Sequence, residues 1–424
     1  MSFPGAVARS SSGSDQGAGP STTTRLAILF LTVFVDLVGF GIVLPLLPFY
    51  ADRFGASGLE IGLLVTVYSL AQLLLAPLWG RLSDHLGRRP ILLVGLVGSA
   101  ISYVVFAYAG SLLVLFVSRI MAGVGGANVS VAQAYIADVT PPEQRAGNMG
   151  LIGAAFGLGF IFGPALGGLL APVSWEAPGL AAAALCFGNA FLAFFLLPES
   201  LPEDDAAPEE YSAVPVRLED LRVALTSPRL LRILGLSFFF TVAFSCMQPT
   251  FPLFGEIRFG LDERTVGYLF AFLGLISAIM QGGLVRRLVP RLGEATLIRA
   301  CAFPFVGGLV LIAVAPSMPV LLTGLAALAV GFGGTLPSIH SLVSRVAPDE
   351  LQGSVLGVGQ SVGALARVVG PVVAGWSFDV LGVASPYLVA AGIGGVALLF
   401  ALTVHQPEPG EGKPGLGTTA VPTP

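Results

Sequence analysis

Charged residues are scarce in this sequence, and lysine is almost absent. Only 11% of the 424 residues are Asp, Glu, Lys or Arg, and the one lysine is Lys413. An ordinary soluble domain carries about 25% charged residues, so a soluble fold does not fit this composition. Binding to nucleic acid needs clustered basic side chains, and the sequence has no such cluster. We therefore predict no nucleic-acid partner.

Residues that carry catalysis or bind metals are also few. The three histidines, His85, His340 and His405, have no partner at metal-ligand spacing, and there is no H-E-x-x-H motif. All three cysteines lie inside apolar segments and are interpreted as small packing residues, with a reactive thiol as the alternative. The sequence therefore predicts no enzyme, no catalytic residue, no metal site and no cofactor.

Long apolar runs are what the sequence has in abundance. Hydrophobic residues make up 54% of it, and its mean hydropathy is +0.86. Residues 90–118 and 146–175 contain no charged side chain. A helix needs about 20 apolar residues to cross a bilayer, so these runs are long enough to do so. The pattern predicts an all-α membrane protein.

Twelve such segments follow one another, six in each half of the chain. We predict a disordered cytoplasmic tail at 1–24, a six-helix bundle at 25–197, a cytoplasmic linker at 198–229, a second six-helix bundle at 230–404 and a disordered cytoplasmic tail at 405–424. With both termini in the cytoplasm, most arginines lie inside, and only Arg53, Arg258 and Arg264 lie outside, in agreement with the positive-inside rule. The expected location is the cell membrane.

The two halves of the sequence resemble each other. Arg53-Phe54-Gly55 recurs as Arg258-Phe259-Gly260, and Gly163-Pro164 recurs as Gly370-Pro371, in the same order and at nearly the same distance along the chain. Two bundles related by an axis along the membrane normal are typical of one large class of transporters. We therefore predict two pseudo-symmetric six-helix bundles.

The loop between the second and third segments reads Gly80-x-Leu82-x-Asp84-x-x-Gly87-Arg88-Arg89. It resembles the signature loop of the major facilitator superfamily. The resemblance implies a conformational latch that closes against the eleventh helix, and its candidate members are Gly80, Asp84, Gly87, Arg88, Arg89 and Asp138. The alternative is a basic loop that only sets the topology. In the second half Pro290 stands opposite Asp84, so we interpret that loop as degenerate.

Two further motifs strengthen the resemblance. Residues 119–127, which begin with Arg119, are similar to a second motif of this superfamily. The fifth segment has the pattern G-x-x-x-G-P-x-x-G-G, formed by Gly159, Gly163, Pro164, Gly167 and Gly168. This pattern resembles the motif of drug antiporters. Its glycines allow close helix packing, and the resemblance favours export over uptake.

Residues 36–48 and 135–142 closely resemble the tetracycline efflux antiporters and their multidrug relatives. The resemblance fails at three positions, where the tetracycline exporters have acidic residues or a histidine and this sequence has Ser102, Phe305 and Ser277. A metal-tetracycline complex is a cation that would need those carboxylates. The sequence therefore favours an exporter of other small organic compounds.

Charged residues inside the spans indicate how transport is driven. Asp36 lies about 15 Å beyond the start of the first span, near the middle of a hydrocarbon core about 30 Å thick. A carboxylate there is costly unless it is paired or protonated. We predict that Asp36 carries the coupling proton, with Arg119 as a partner that approaches it in one state of the transport cycle and leaves it in another. A permanent ion pair that only fixes helix packing is the alternative.

Polar residues inside other spans are candidates for the substrate cavity. Arg367 has no charged equivalent in the first half, where Phe160 stands at the matching position, so it either binds an anionic group or holds the eleventh span. His340 either faces the cavity or packs against neighbours. The candidate cavity residues are Gln72, Asn128, Gln133, Gln248, His340 and Arg367.

Together these features predict a monomeric secondary transporter that exports small organic compounds or drugs by proton-coupled alternating access. Its partners would be the small-molecule substrate, protons and the lipid bilayer. Proton-coupled uptake of a small solute and a non-transporting receptor on the same fold are the alternatives, because a fold alone does not fix a function.

Overall fold

The computed structural model describes residues 22–126, 128–201, 227–347 and 352–406. Within these ranges the chain is helical apart from short turns and contains no strand. The tails predicted at 1–24 and 405–424 and the linker predicted at 198–229 lie almost entirely outside the described residues.

Twelve helices of the described chain are long and apolar enough to cross a membrane. The prediction of an all-α protein with twelve transmembrane helices is therefore confirmed. We number the α-helices in chain order: α1 Thr22–Val43, α2 Leu47–Asp52, α3 Gly58–Leu86, α4 Arg88–Ala107, α5 Leu112–Gly125, α6 Asn128–Val139, α7 Pro142–Leu170, α8 Glu176–Leu196, α9 Pro228–Phe259, α10 Glu263–Ile279, α11 Val285–Leu292, α12 Glu294–Val314, α13 Met318–Val346, α14 Gln352–Leu381 and α15 Ser385–Thr403. A π-helical turn, Met280–Leu284, joins α10 and α11 into one span.

The first span of the first half is interrupted. It stops at Val43 and resumes at Leu47, because Pro45 has no N–H to donate to a continuing helix. In the fourth span, two side chains of α3 bind carbonyl oxygens near the end of α5: Gln72 Nε2 donates to Gly126 O at 2.8 Å and Trp79 Nε1 donates to Val124 O at 2.8 Å.

Each half packs through equivalent helix pairs. In the first half α1 lies against α7 and α8, and α4 lies against α5 and α8. In the second half α9 lies against α14 and α15, and α12 lies against α13 and α15. The matching contacts confirm two six-helix bundles of the same design.

The two halves meet mainly through two helix pairs, α3 with α14 and α7 with α10. Glycines let these backbones approach closely. A Cβ atom on Gly267 would lie 2.6 Å from Pro164 O, and one on Gly274 would lie 2.5 Å from Phe160 O. Because both neighbours are backbone atoms, a larger side chain at either glycine would force the helices apart.

The glycine motif of the fifth span lies on two faces of α7. A Cβ atom on Gly159, Gly163 or Gly167 would strike α1, whereas one on Gly168 would lie 2.8 Å from Arg264 O on α10. The motif therefore places α7 between α1 of its own half and α10 of the other half.

The halves contact each other at one end of the bundle. We call the end where α3 begins the Gly58 end and the end where α4 begins the Arg88 end. At the Gly58 end, residues 58–66 of α3 contact residues 368–379 of α14. Toward the Arg88 end, glycines of α7 and of the π-helical turn have no atom within 4 Å of a Cβ position: Gly147, Gly150, Gly153, Gly282 and Gly283. In the described chain, the space between the halves therefore opens toward the Arg88 end.

Candidate functional site

Asp36 lies on α1 in the interior of the first half, where its relative exposure is 9%. The side chains of Ser99 and Asn128 face its carboxylate, and the Cys186 thiol lies 4.0 Å from Oδ1. No Lys, Arg or His of the described ranges forms an ion pair with it. Neutral groups therefore surround this carboxylate.

Arg119 is also buried, and in this conformation it is not paired with Asp36. Its guanidinium lies 5.1 Å from the ring centroid of Phe106 and 6.0 Å from that of Tyr103. Nη2 is buried and has no hydrogen-bond partner among the described residues. Because α5 directs this side chain at the aromatic rings of α4, cation–π contacts replace the expected ion pair.

Tyr68 on α3 lies between the charged groups of the two halves. It is within electrostatic range of Asp36, Arg119 and Arg367. No motif contains this tyrosine, and the sequence analysis missed it. Its place one helical turn before Gln72, on the same face of α3, is the signal that could have identified it.

Arg367 on α14 and His340 on α13 carry the basic groups of the second half. They are close enough to influence each other electrostatically. Solvent reaches both side chains, although protein atoms surround each of them on most sides. Each side chain therefore faces a concave opening rather than the outer surface. Tyr68 of the first half is within electrostatic range of Arg367. These three residues define the centre of the candidate substrate cavity.

Of the other cavity candidates, Gln72 lies nearest to this centre: its side chain is within hydrogen-bond range of Tyr68, and its Nε2 donates to the carbonyl of Gly126. Asn128 faces the carboxylate of α1. Gln133 and Gln248 are half-buried and form no hydrogen bond with another candidate in the ranges the structure describes. Asn128 therefore belongs with the buried carboxylate, and Gln72 has a structural bond.

Packing residues fill the three positions where the resemblance to tetracycline exporters fails. Ser102 and Ser277 are buried, and each hydroxyl donates to a backbone carbonyl. Phe305 packs on Phe240 with ring centroids 4.2 Å apart. None of these positions supplies a negative charge.

Arg88 is the centre of the latch motif and is only 6% exposed. Its Nε donates to Asp138 Oδ2 at 3.0 Å, and its Nη1 donates to Ser83 Oγ at 2.7 Å and to Asp84 Oδ1. The resemblance implies that the latch closes on the eleventh span, which is α14. In this conformation the Asp84 carboxylate is held by Arg88 instead, and Gly80 makes no close approach to another helix.

A carboxylate outside the motif caps the start of α4. Gly87 turns the chain with φ +96°, a conformation that favours glycine. The backbone N–H groups of Arg88 and Arg89 then donate to Glu199 Oε1 at 2.9 Å and Oε2 at 3.1 Å. The Arg89 guanidinium donates to Phe194 O. Glu199 falls in the segment predicted as a linker, so this contact was not predicted.

The second half has a matching site at the same end. Glu294 is 1% exposed and accepts hydrogen bonds from Arg345 Nε at 2.9 Å and Ser341 Oγ at 3.0 Å. Gln406 Oε1 accepts from the N–H of Ala295 at 3.1 Å, and its Nε2 donates to Glu294. This loop therefore keeps a buried carboxylate in an ion pair and a capping side chain, although Pro290 stands where the first half has Asp84.

Comparison with known proteins gives matches over nearly the whole chain. The family model described as Major Facilitator Superfamily matches residues 29–371. The tetracycline resistance protein, class C, of Escherichia coli is 34% identical over 369 residues, which cover 83% of this chain and 89% of that protein. The major facilitator superfamily domain-containing protein 10 of Homo sapiens is 32% identical over 409 residues, which cover 84% of this chain and 87% of that protein.

Solved structures give the same result. The crystal structure of the human organic anion transporter MFSD10 (TETRAN) superposes with a TM-score of 0.69 at 29% sequence identity. The match covers 90% of this chain and 100% of that chain. The similarity therefore extends through both halves.

Proposed function

This chain belongs to the major facilitator superfamily, and we propose that it exports small organic compounds in exchange for protons. It is a multi-pass membrane transporter and not an enzyme. In the proposed cycle it works as a monomer in the cell membrane with both termini in the cytoplasm. The Arg88 end then faces the cytoplasm, in keeping with its arginines, and the conformation described above is open to the inside.

Two observations support export. The glycine motif of α7 resembles that of drug antiporters, and its glycines pack against α1 and α10. Several relatives more than 30% identical are named as tetracycline resistance proteins. Removal of a compound from the cell is a direct route to resistance, so these names favour outward transport.

The proton-coupling proposal depends on one observation, the buried Asp36 carboxylate without a counter-ion. An ionised carboxylate in apolar surroundings is costly, and protonation removes that cost. Asn128 and Ser99 can donate hydrogen bonds to the ionised form once the proton leaves. We therefore assign the coupling proton to Asp36.

Arg119 is proposed to respond to the charge on Asp36 rather than to pair with it throughout the cycle. Its aromatic contacts are weaker than a buried ion pair, and its Nη2 lacks a hydrogen-bond partner in the described chain. A rearrangement of α4 and α5 could therefore bring the guanidinium to the ionised carboxylate at low cost. Such a change would link proton release to alternating access.

The proposed substrates carry an anionic group that binds Arg367. This guanidinium faces the central opening, His340 beside it adds no negative charge, and no described carboxylate pairs with it. A charge-assisted hydrogen bond of this kind contributes about 1.5–3 kcal/mol. The name organic anion transporter, given to the similar human structure, favours the same class. Metal-bound tetracycline is disfavoured because Ser102, Ser277 and Phe305 supply no carboxylate.

The electrostatics also favour a second candidate, proton symport. A proton on Asp36 removes a negative charge that would repel an anion on Arg367, and Tyr68 is within range of both groups. Two ligands that stabilise each other in one conformation tend to move together. Antiport requires in addition that the transporter does not change conformation while it holds both the proton and the substrate.

Transport in oriented proteoliposomes under an imposed pH gradient distinguishes these candidates. We would follow fluorescein as the anion and ethidium as the cation, with protein-free liposomes to correct for passive movement. Antiport accumulates the substrate on the acidic side, and symport accumulates it on the alkaline side.

Asp36→Asn tests the coupling residue in the same assay. We expect this variant to lose gradient-driven accumulation while downhill movement persists. Asp52→Asn, which changes an exposed carboxylate on α2, is the matched control and should behave like the wild type. If Asp36→Asn still accumulates substrate against its gradient, Asp36 is not the coupling group.

Arg367→Ala and Arg367→Lys test the substrate contact. We expect Arg367→Ala to weaken fluorescein binding by about 10- to 100-fold, because one charge-assisted contact is lost, and Arg367→Lys to recover part of it. Ethidium transport should change little. An equal loss for both compounds would instead mean that Arg367 holds α14 in place.

A further inference from the structure

The helices α3 and α14 run antiparallel across the junction of the halves, and both end in the same pattern, Asp-x-Leu-Gly. In α3 the pattern is Asp84 to Gly87, and in α14 it is Asp379 to Gly382. The terminal glycine has φ +96° in the first case and +98° in the second. Each aspartate therefore lies less than one turn before the same left-handed end, and the two lie at opposite ends of the helix pair.

At the Gly58 end, Asp379 of the second half binds the first turn of α3. Its Oδ1 accepts a hydrogen bond from the N–H of Gly58 at 2.7 Å, and its Oδ2 accepts one from the N–H of Leu59 at 2.8 Å. A Cβ atom at position 58 would lie 2.7 Å from Oδ1, so glycine is needed for this approach. A negative charge at a helix N-terminus is also favoured by the helix dipole.

The helix α3 does not need Asp379 in order to begin. Ser57 Oγ accepts from the N–H of Glu60 at 3.2 Å, and Glu60 Oε2 accepts from the N–H of Ser57 at 2.8 Å, which completes a local capping box. The capping box leaves the N–H groups of Gly58 and Leu59 without a local partner, and these are the two that Asp379 binds. The carboxylate therefore joins the halves rather than starting the helix.

The second helix pair at this end is α7 with α10. Among the described residues, no carboxylate of one of these helices binds the start of the other. The N-cap of α10 is its own Asp262, whose Oδ1 accepts from the N–H of Thr265 at 2.9 Å. The helix α7 ends at Leu170, and Ala171-Pro172 follow it without an aspartate. Glycines let the backbones of α7 and α10 approach each other here. The charged contact across the halves is thus made by α14 on α3.

At the Arg88 end the matching aspartate is not engaged in this way. Asp84 is bound to Arg88 within its own half, and the glycines of that end lie open. One Asp-x-Leu-Gly end is therefore docked on its partner helix where the halves touch, whereas among the described residues the aspartate of the other end contacts its own half.

We propose that Asp379 is a gate residue of the transport cycle, which holds α3 and α14 together while the Arg88 end is open and releases α3 when the Gly58 end opens. The inference rests on the alternating access proposed above. Asp84 then faces the first turn of α14 in the opposite conformation. The two aspartates act in turn, one at each end of the same helix pair.

Pulsed electron paramagnetic resonance on two spin labels tests this gate. Cysteines replacing Tyr108 and Val314 place labels at the Gly58 end of α4 and α12, where both side chains are exposed. The native cysteines are buried, so they should not be labelled. We expect Asp379→Asn to raise the long-distance population about 5-fold, because a carboxylate is lost from a helix N-terminus. Asp379→Glu, which keeps the charge, should retain most of the short-distance population.

Two further variants complete the test. Asp52→Asn changes an exposed carboxylate at the same end and should leave the distances unchanged. Asp84→Asn should not raise the long-distance population, and adding it to Asp379→Asn should lower that population again. Unchanged distances in both Asp379→Asn and Asp379→Ala, or an equal rise in Asp84→Asn, would overturn the proposal. Neither substrate nor a proton gradient is needed, so failure here leaves coupling by Asp36 untouched, and the converse also holds.

Discussion

The two halves build the same ion pair at the Arg88 end with the charges exchanged. In the first half Arg88, the first residue of α4, binds Asp138, the penultimate residue of α6, at 3.0 Å. In the second half Glu294, the first residue of α12, binds Arg345, the penultimate residue of α13, at 2.9 Å. The fold needs opposite charges at these two positions, and either orientation of the pair satisfies it.

The reversed order of the charges explains why different side chains cap the starts of α4 and α12. An arginine at a helix N-terminus opposes the helix dipole, and a glutamate there complements it. The start of α4 carries Arg88, and a second carboxylate, Glu199, binds its N–H groups. The start of α12 already carries Glu294, and the neutral Gln406 takes the equivalent place. Each helix start thus receives a carboxylate, from a neighbour in one half and from its own first residue in the other.

The largest expected effect comes from removing Arg88. Arg88→Ala leaves Asp84 and Asp138 close together without their cation, and their side chains are only 10% and 21% exposed. Breaking a largely buried pair in this way costs about 3 kcal/mol. Glu294→Ala leaves Arg345, whose side chain is 58% exposed and can turn to water, so we expect a loss of about 1 kcal/mol.

The free energy of unfolding of the detergent-solubilised protein measures both losses. Arg81→Ala, which removes an exposed arginine from the same end of α3, is the control and should change stability by less than about 0.5 kcal/mol. Equal losses for Arg88→Ala and Glu294→Ala would mean that the exposure of the remaining partner does not matter.

Exchanging the charges within each pair should give a smaller and unequal effect. We expect Glu294→Arg combined with Arg345→Glu to recover about 1 kcal/mol relative to the sum of its single variants. Arg88→Glu combined with Asp138→Arg should recover less, because a glutamate at position 88 would face both Asp84 and Glu199. A double-mutant cycle on the free energy of unfolding measures the two coupling energies. Equal coupling energies for the two pairs would contradict the difference expected between the halves.

The sequence was sufficient for the parts of the fold that depend on length and pattern. Runs of apolar residues predicted all twelve spans, because hydrocarbon thickness fixes the length of a crossing helix. The glycine motif predicted close packing of α7, because only small residues admit another backbone.

Contacts that depend on the rotation of one helix against another could not be predicted in this way. Arg119 was expected beside Asp36 from its depth alone, but α5 turns it toward the rings of α4. Glu199, Gln406 and Asp379 lie outside the motifs, and their roles appear only when distant helix starts are brought to them. The internal repeat held the missing signal, because Glu199 and Gln406 are equivalent in the two halves, as are Asp138 and Arg345.

The smallest effect is expected from exchanging the two caps, and it tests whether dipole and charge explain them. Glu199→Gln keeps an acceptor for the start of α4 but loses its charge, which should cost about 0.5 kcal/mol. Gln406→Glu removes the donor to Glu294 and sets a like charge against it, so it should cost about 1 kcal/mol. Both costs are electrostatic, so unfolding measured at low and high ionic strength should show each one shrink as salt rises. If Gln406→Glu stabilises the protein, or if salt changes neither cost, the two caps are chosen for shape and not for charge.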